Sequence, residues 1–407
     1  MDMDKKKGRS ICATINCEIS VSNCSYSFFR FPKDKASEVK ITKLITPIHH
    51  GEGPYWCPES KVLLYTDTFK ATLYKLKTDR EIPISPECFK LPNHDTVGFA
   101  LPIKDKKDTW IVCGDRHMYE LKWPETGKLQ FKQIHTIEKD KPNNQFNDGK
   151  ADNQGRIWGG TLKREADLSV PEFGGSLYMF DHELREHEKV PNVSISNGLA
   201  WSKDNTKFFF IDSATRDIEK WDYDAETGEI SNKKIVINIK EDGYSGIPDG
   251  MTIDEDDNLW IALFGGHEVI QVETKYGRIL RNIRIPATYV TSVAWGGPNF
   301  DILYVTTSQA HLDEKQLRDE PDLYIFKVIQ VETKYGRILR NIRIPATYVT
   351  SVAWGGPNFD ILYVTTSQAH LDEKQLRDEP DAGCIFEVRG LGVKGIPPNQ
   401  AIIKKSC

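Results

Sequence analysis

At 407 residues, with 39% hydrophobic and 10% aromatic side chains, the chain can fill several domains or one large β-architecture. A net charge of -5 is too mild to indicate a nucleic-acid surface, and no apolar run reaches the roughly 20 residues of a membrane helix. The basic opening residues lack an apolar h-region, so no secretory signal is expected, and eight irregularly spaced cysteines point to reduced thiols in the cytoplasm. The sequons at Asn23 and Asn192 then carry no glycan.

Residues 1–37 do not match the rest of the chain. Cys12-Ala-Thr-Ile-Asn-Cys17 and Phe28-Phe-Arg-Phe-Pro-Lys-Asp34 resemble the opening of a THAP-type zinc finger, a DNA-binding module. A structural zinc needs four protein ligands, and the chain has no Cys-x-x-His pair to complete them. A poorly ordered tail is therefore expected here.

From Val39 onward the apolar period is two, with strands separated by Gly, Pro, Asn and Asp. Strand signals include Leu73–Leu76, Trp110–Cys113, Met118–Lys122, Ser176–Phe180, Ile218–Tyr223 and Ile235–Ile239; only Leu312–Arg318 suggests a short helix. An inner unit recurs: a small apolar strand, a polar turn, then a β-rich strand. It is seen at 53–65, 98–110, 147–158, 197–211, 246–263 and 292–304. An interval of roughly 40 to 60 residues suits a four-stranded propeller blade.

Residues 269–322 are identical, position by position, to 328–381, with Leu323–Lys327 between them. Such identity points to a very recent duplication or an assembly error. Each copy holds an outer strand pair (269–273, 279–285) and an inner pair (291–295, 302–306), so the insertion keeps strand phase. Gly383–Arg389 supplies the third strand of the last blade, and Val39–Ile45 its fourth. A ring widened to seven blades would separate the strand heads, so the expected architecture is a six-bladed all-β propeller over 38–398. One copy, the first, is then displaced as a protruding hairpin set, with seven blades as the alternative and 399–407 as a tail.

Four turns stand at the heads of inner strands: Gly51–Pro54, Phe146–Lys150, Ile195–Leu199 and Ile247–Met251. Each places an oxygen-bearing side chain beside a glycine. In a propeller these heads converge on one end of the channel, where Glu52, Asn197 and Asp249 make a hard, oxygen-rich site for a divalent cation. An Asp in Pro-Asp-Gly is ordinarily a turn residue; its recurrence in one repeat phase favours the site. Asp254–Asn258 has Leu259 where a calcium loop needs Gly, so it is a hairpin turn. His94, His117 and His267 are isolated and are not expected to be ligands.

Those four turns, with Gly390-Leu-Gly-Val-Lys-Gly-Ile396, resemble the family of regucalcin, gluconolactonase and luciferin-regenerating enzyme. The resemblance implies a propeller with one divalent metal (Ca, Zn, Mn or Mg) and hydrolysis of sugar lactones by a monomer, with no nucleic-acid or membrane partner. It implies Glu52, Asn197 and Asp249 as metal ligands and Asp249 as the catalytic base. Gln145, Asn147 and Glu165 then contact substrate. Gln145 replaces an arginine common in vertebrate members, removing a fixed charge. That loss supports the other function considered, a calcium-binding regulatory protein with an idle lactonase site.

Overall fold

The computed structural model describes residues 39–77, 85–165, 169–297, 299–308, 327–369 and 371–404. The THAP-like stretch and Leu312–Arg318 lie outside them. The helix signal is met in the second copy, where α1 spans Glu373–Asp378 with Asp372 as its N-cap, accepting from the Gln375 backbone. Among the described residues no helix is long and apolar enough to cross a membrane.

The chain is an all-β propeller. Strand β1 (Lys40–Lys43) precedes four separate antiparallel sheets. The first holds β2 (Gly51–Cys57), β3 (Val62–Asp67), β4 (Thr72–Lys77) and β5 (Glu87–Lys90). The second holds β6 (Val97–Pro102), β7 (Thr109–Gly114), β8 (His117–Lys122) and β9 (Gln130–Thr136). The third holds β10 (Asn144–Ala151), β11 (Ile157–Lys163), β12 (Gly175–Phe180) and β13 (Glu186–Val193). The fourth holds β14 (Ser196–Trp201), β15 (Lys207–Asp212), β16 (Asp217–Tyr223) and β17 (Ile230–Asn238).

The duplicated region keeps the same order. Strands β18 (Ile247–Ile253), β19 (Asn258–Phe264), β20 (Glu268–Glu273) and β21 (Arg278–Arg284) pair in sequence. So do β22 (Tyr289–Gly296), β23 (Ile302–Ser308), β24 (Lys327–Glu332) and β25 (Arg337–Arg343). Finally β26 (Tyr348–Gly355), β27 (Ile361–Ser367) and β28 (Phe386–Arg389) pair on to β1, joining the two ends of the propeller as the sequence predicts. Single bridges, Phe264 to Tyr289 and Ser308 to Tyr348, link these groups into one continuous sheet.

Among the described residues, the strands of both copies pair into the propeller's sheets, where a displaced hairpin set was expected for one of them. The reason is strand phase: each copy supplies two outer strands to the preceding inner pair, then a new inner pair. Identical residues make equivalent bonds around the ring. Thr291 Oγ1 donates to the Val349 carbonyl at 3.1 Å, and its duplicate Thr350 donates to the Gly51 carbonyl at 2.6 Å. The inner strands touch in the cycle β2, β6, β10, β14, β18, β22, β26 and back to β2.

Second strands are continuous apolar runs, such as Phe208-Phe-Phe-Ile211 in β15, because neighbouring sheets cover both their faces. Outer β17, by contrast, is largely exposed and carries Lys233 and Lys234, which discourage edge pairing. Asp67, Asp115 and Asp212 at the ends of β3, β7 and β15 accept backbone N–H groups from the loop entering each inner strand. These bonds fix the heads on which the site is built.

Residues 390–404, after β28, form a packed strap. Tyr55 donates to the Asn399 carbonyl at 2.8 Å, Ala401 is buried beside Ile103, and the Ile402 N–H donates to Gly155. It crosses from the last sheet over the first, second and third.

Candidate functional site at the channel head

The inner strands share one irregularity. In β2, β10, β14, β18, β22 and β26 the register slips so that two residues oppose one on the partner strand. A bulge re-aims side chains that strict alternation would send elsewhere. The bulged pairs are Gly53–Pro54, Asn147–Asp148, Asn197–Gly198, Asp249–Gly250, Thr291–Ser292 and Thr350–Ser351, and Glu52 sits just before the first. The glycines let adjacent strands close in. A Cβ on Gly250 would lie 2.8 Å from the Ser292 Cα, so no side chain fits there.

Glu52, Gln145, Asn147, Asn197 and Asp249 all line one channel cavity of about 880 Å³. Asn147 Nδ2 donates to the Ser196 carbonyl (2.8 Å) and to Asn197 Oδ1 (3.1 Å). Asn197 Nδ2 donates to Ser213 Oγ (2.7 Å), whose hydroxyl donates to the Pro248 carbonyl (2.7 Å). This relay ties β10, β14 and β18 together and orients the backbone carrying Asp249.

Glu165 is placed differently. It pairs with Lys163 at 2.5 Å and does not line the cavity, whereas its neighbour Arg164 does. His94 is held by Asp115 and Tyr119, each at 2.6 Å, and neither it, His117 nor His267 lines the channel.

Asp148, Lys150, Arg164 and Tyr348 also line the cavity, and the sequence assigns none of them a role. Asp148 and Lys150 lie inside the Phe146–Lys150 turn, so their motif was visible and only their direction was not. Tyr348 belongs to the duplicated segment, whose place in the ring only the structure shows.

The electrostatics are those of crowded carboxyl groups. Burial pushes the Glu52 carboxyl up to about 7, and Asp148 adds to the rise. Asp249 is held well above the usual carboxylate range by burial, then by Glu52 and Asp148. Burial raises Asp148 and lowers Lys150, which donates to the Leu199 carbonyl at 2.9 Å. The Tyr348 hydroxyl is raised by burial and by the same two carboxylates, Asp249 and Glu52.

Carboxylates and amide oxygens that face one another are the donor set of a hard divalent cation, so the residues fit one by chemistry. Among the described residues no three His, Cys, Asp or Glu side chains form a ready-made cation cluster. Asn197, which lines the same cavity, adds an amide oxygen beside these carboxyl groups.

Residues 50–309 and 325–368 match the family described as SMP-30/Gluconolactonase/LRE-like region. The chain is 32% identical to regucalcin of Bos taurus over 370 residues, covering 89% of this chain and 98% of that one. It is 37% identical to an uncharacterised protein of Sulfolobus acidocaldarius over 262 residues, covering 64% of this chain and 88% of the other. Among solved structures it is similar to a luciferin-regenerating enzyme, with a TM-score of 0.61 and 29% identity, covering 89% of this chain and 99% of that one.

Proposed function

The chain belongs to the SMP-30/gluconolactonase/LRE-like family, and from that premise we propose that it is a metal-dependent hydrolase of sugar lactones acting at the channel head. The observation that carries this reading is that Glu52, Asp148 and Asp249 line one cavity, where burial first and then a neighbouring carboxylate (Asp148 for Glu52, Glu52 and Asp148 for Asp249) raise the two proposed ligands. Such a set is unfavourable alone and favourable around a cation.

Glu52, Asn197 and Asp249 would hold one divalent ion. When bound, it supplies Lewis-acid polarisation of the lactone carbonyl and stabilises negative charge on that oxygen. Asp249 would take the proton of the attacking water on the carboxylate oxygen not engaged with the ion. The ring C–O bond then breaks, and the leaving oxygen recovers a proton to give the hydroxy acid. Asn147 and Gln145 line the substrate side. A substrate contact from Glu165 would require it to leave Lys163.

A second reading is a calcium-binding regulatory protein of the regucalcin type, favoured by the neutral Gln145 in the cavity wall. Calcium calorimetry beside a glucono-1,5-lactone assay on one sample separates the two. Binding with turnover supports the lactonase, and binding with no turnover supports the regulator.

Protonation sets the sign of a pH effect. Glu52 titrates near 4.5 unfolded and about 7 folded, so the folded state holds the extra proton between them. Its contribution therefore favours the metal-free fold at low pH and is lost as pH rises through 7. Cation binding needs the deprotonated ligands. Calcium at about 100 times Kd should add ~2.7 kcal/mol at pH 8, a rise of a few degrees in Tm. At pH 5 the rise should shrink towards zero; an equal rise at both values would count against carboxylate ligation.

We also read the cycle of inner strands as a seven-bladed ring, one blade wider than the expected six. Deleting residues 269–327 keeps strand phase and should yield a folded ring whose Glu52 and Asp249 heads lie closer. Cation affinity should tighten at least about tenfold, or ~1.4 kcal/mol. Calorimetry on both chains checks this, and unchanged affinity would show that ring size does not set the site's spacing.

A further inference from the structure

The cavity carries two cationic side chains among its described lining residues, Lys150 and Arg164. Lys150 is committed to the Leu199 carbonyl and lies beside Asp148. Arg164 belongs to the wall on which Gln145 sits. Gln145 pairs with Leu162 across β10 and β11, and Leu162 and Arg164 both line the cavity. Alternation sends Lys163 and Glu165 to the other side, where they pair with each other. The Arg164 guanidinium lies over the Phe69 ring at 5.4 Å, and Phe69 and His50, whose rings are 4.7 Å apart, line the same cavity. This stacking holds a planar fork of donors on the channel wall.

A ligand entering this channel meets Glu52, Asp148 and Asp249 at the head, where a bound cation would offset their charge, and one guanidinium on the wall, which attracts anions. An acidic ligand is therefore oriented, with its anionic end on Arg164. We propose that Arg164 is a specificity residue that binds a carboxylate or phosphate substituent, so that the preferred lactones are those of acidic sugars. This rests on the lactonase reading and deepens it. Gln145, being neutral, leaves that anion selectivity to Arg164.

The test compares D-glucaro-1,4-lactone and 6-phosphoglucono-1,5-lactone with neutral glucono-1,5-lactone, using the full chain and its Arg164→Gln and Arg164→Lys variants. The wild type should favour at least one anionic lactone in kcat/KM by about 10- to 100-fold, the range of a charge-assisted hydrogen bond. Whichever anion gains identifies the substituent. Arg164→Gln should remove the preference through KM, and Arg164→Lys should restore part of it, which a purely structural stack on Phe69 would not do. Equal kcat/KM for anionic and neutral lactones in the wild type, or a preference that survives Arg164→Gln, overturns the proposal. If no lactone is turned over, the lactonase reading fails separately, and calorimetry of D-glucarate against D-glucitol decides Arg164. Tighter D-glucarate binding that is lost in Arg164→Gln supports the proposal, and any other result overturns it.

Discussion

Asp249→Asn is expected to lower lactone turnover by at least about 10³-fold, because it removes both a cation ligand and the group that takes the proton. The same substitution should make the metal-free protein more stable. Asp249 is pressed by burial and by Glu52 and Asp148, and an amide of the same shape carries no charge to repel them. Steady-state kinetics and thermal unfolding of one preparation give both signs. Activity retained within tenfold would remove Asp249 from the site. A drop in metal-free Tm alongside lost activity would mean that the variant simply folds poorly.

Asp152→Ala should cost about 3–5 kcal/mol of stability, the largest effect expected away from the channel. Asp152 is fully buried. It accepts from Arg156 Nε (2.7 Å), Trp158 Nε1 (3.0 Å) and the Tyr223 hydroxyl (2.8 Å), tying the third sheet to the fourth. Arg156, itself 3% exposed, would be left as an uncompensated buried charge. Urea unfolding measures the loss. If the midpoint scarcely moves, the network is decoration rather than support. Asp152 closes the same hairpin whose other end carries Asn147 and Asp148, so a loss here should also weaken cation binding.

The strand heads were legible because a bulge that turns the chain beside its neighbour needs small or turn-forming residues, and Pro-Asp-Gly, Ser-Asn-Gly and Asn-Asp-Gly announce them. What each bulge does to direction was not legible. An extra residue breaks the two-residue period, so the sequence could not say that Asp148 shares the cavity with Asn147. Arg164 was missed for a related reason. It stands one residue past β11 beside the acidic Glu165, and only the observed pairing of Lys163 with Glu165 shows which of the two faces the channel.

The fold divides in the same way. Second strands announce themselves as apolar runs, and the pairing of β1 with β28 could be reasoned from strand phase. Incorporation of both copies could not be read locally, because identical segments have identical local preferences. Their places are decided by contacts such as Thr291 with Val349 and Thr350 with Gly51. The strap from Gly390 shows no periodicity, since it is held by individual contacts with several sheets.

The central claim is that Glu52, Asn197 and Asp249 hold one cation on which lactone hydrolysis depends. Its most direct test is the titration of chelator-stripped full-length chain with calcium, and in parallel with zinc, manganese and magnesium, while glucono-1,5-lactone hydrolysis is monitored. The site predicts negligible activity in the stripped protein and, with at least one of these ions, a rise that saturates at one equivalent per chain. Undiminished hydrolysis after stripping, or none with any ion at any equivalence, would contradict it.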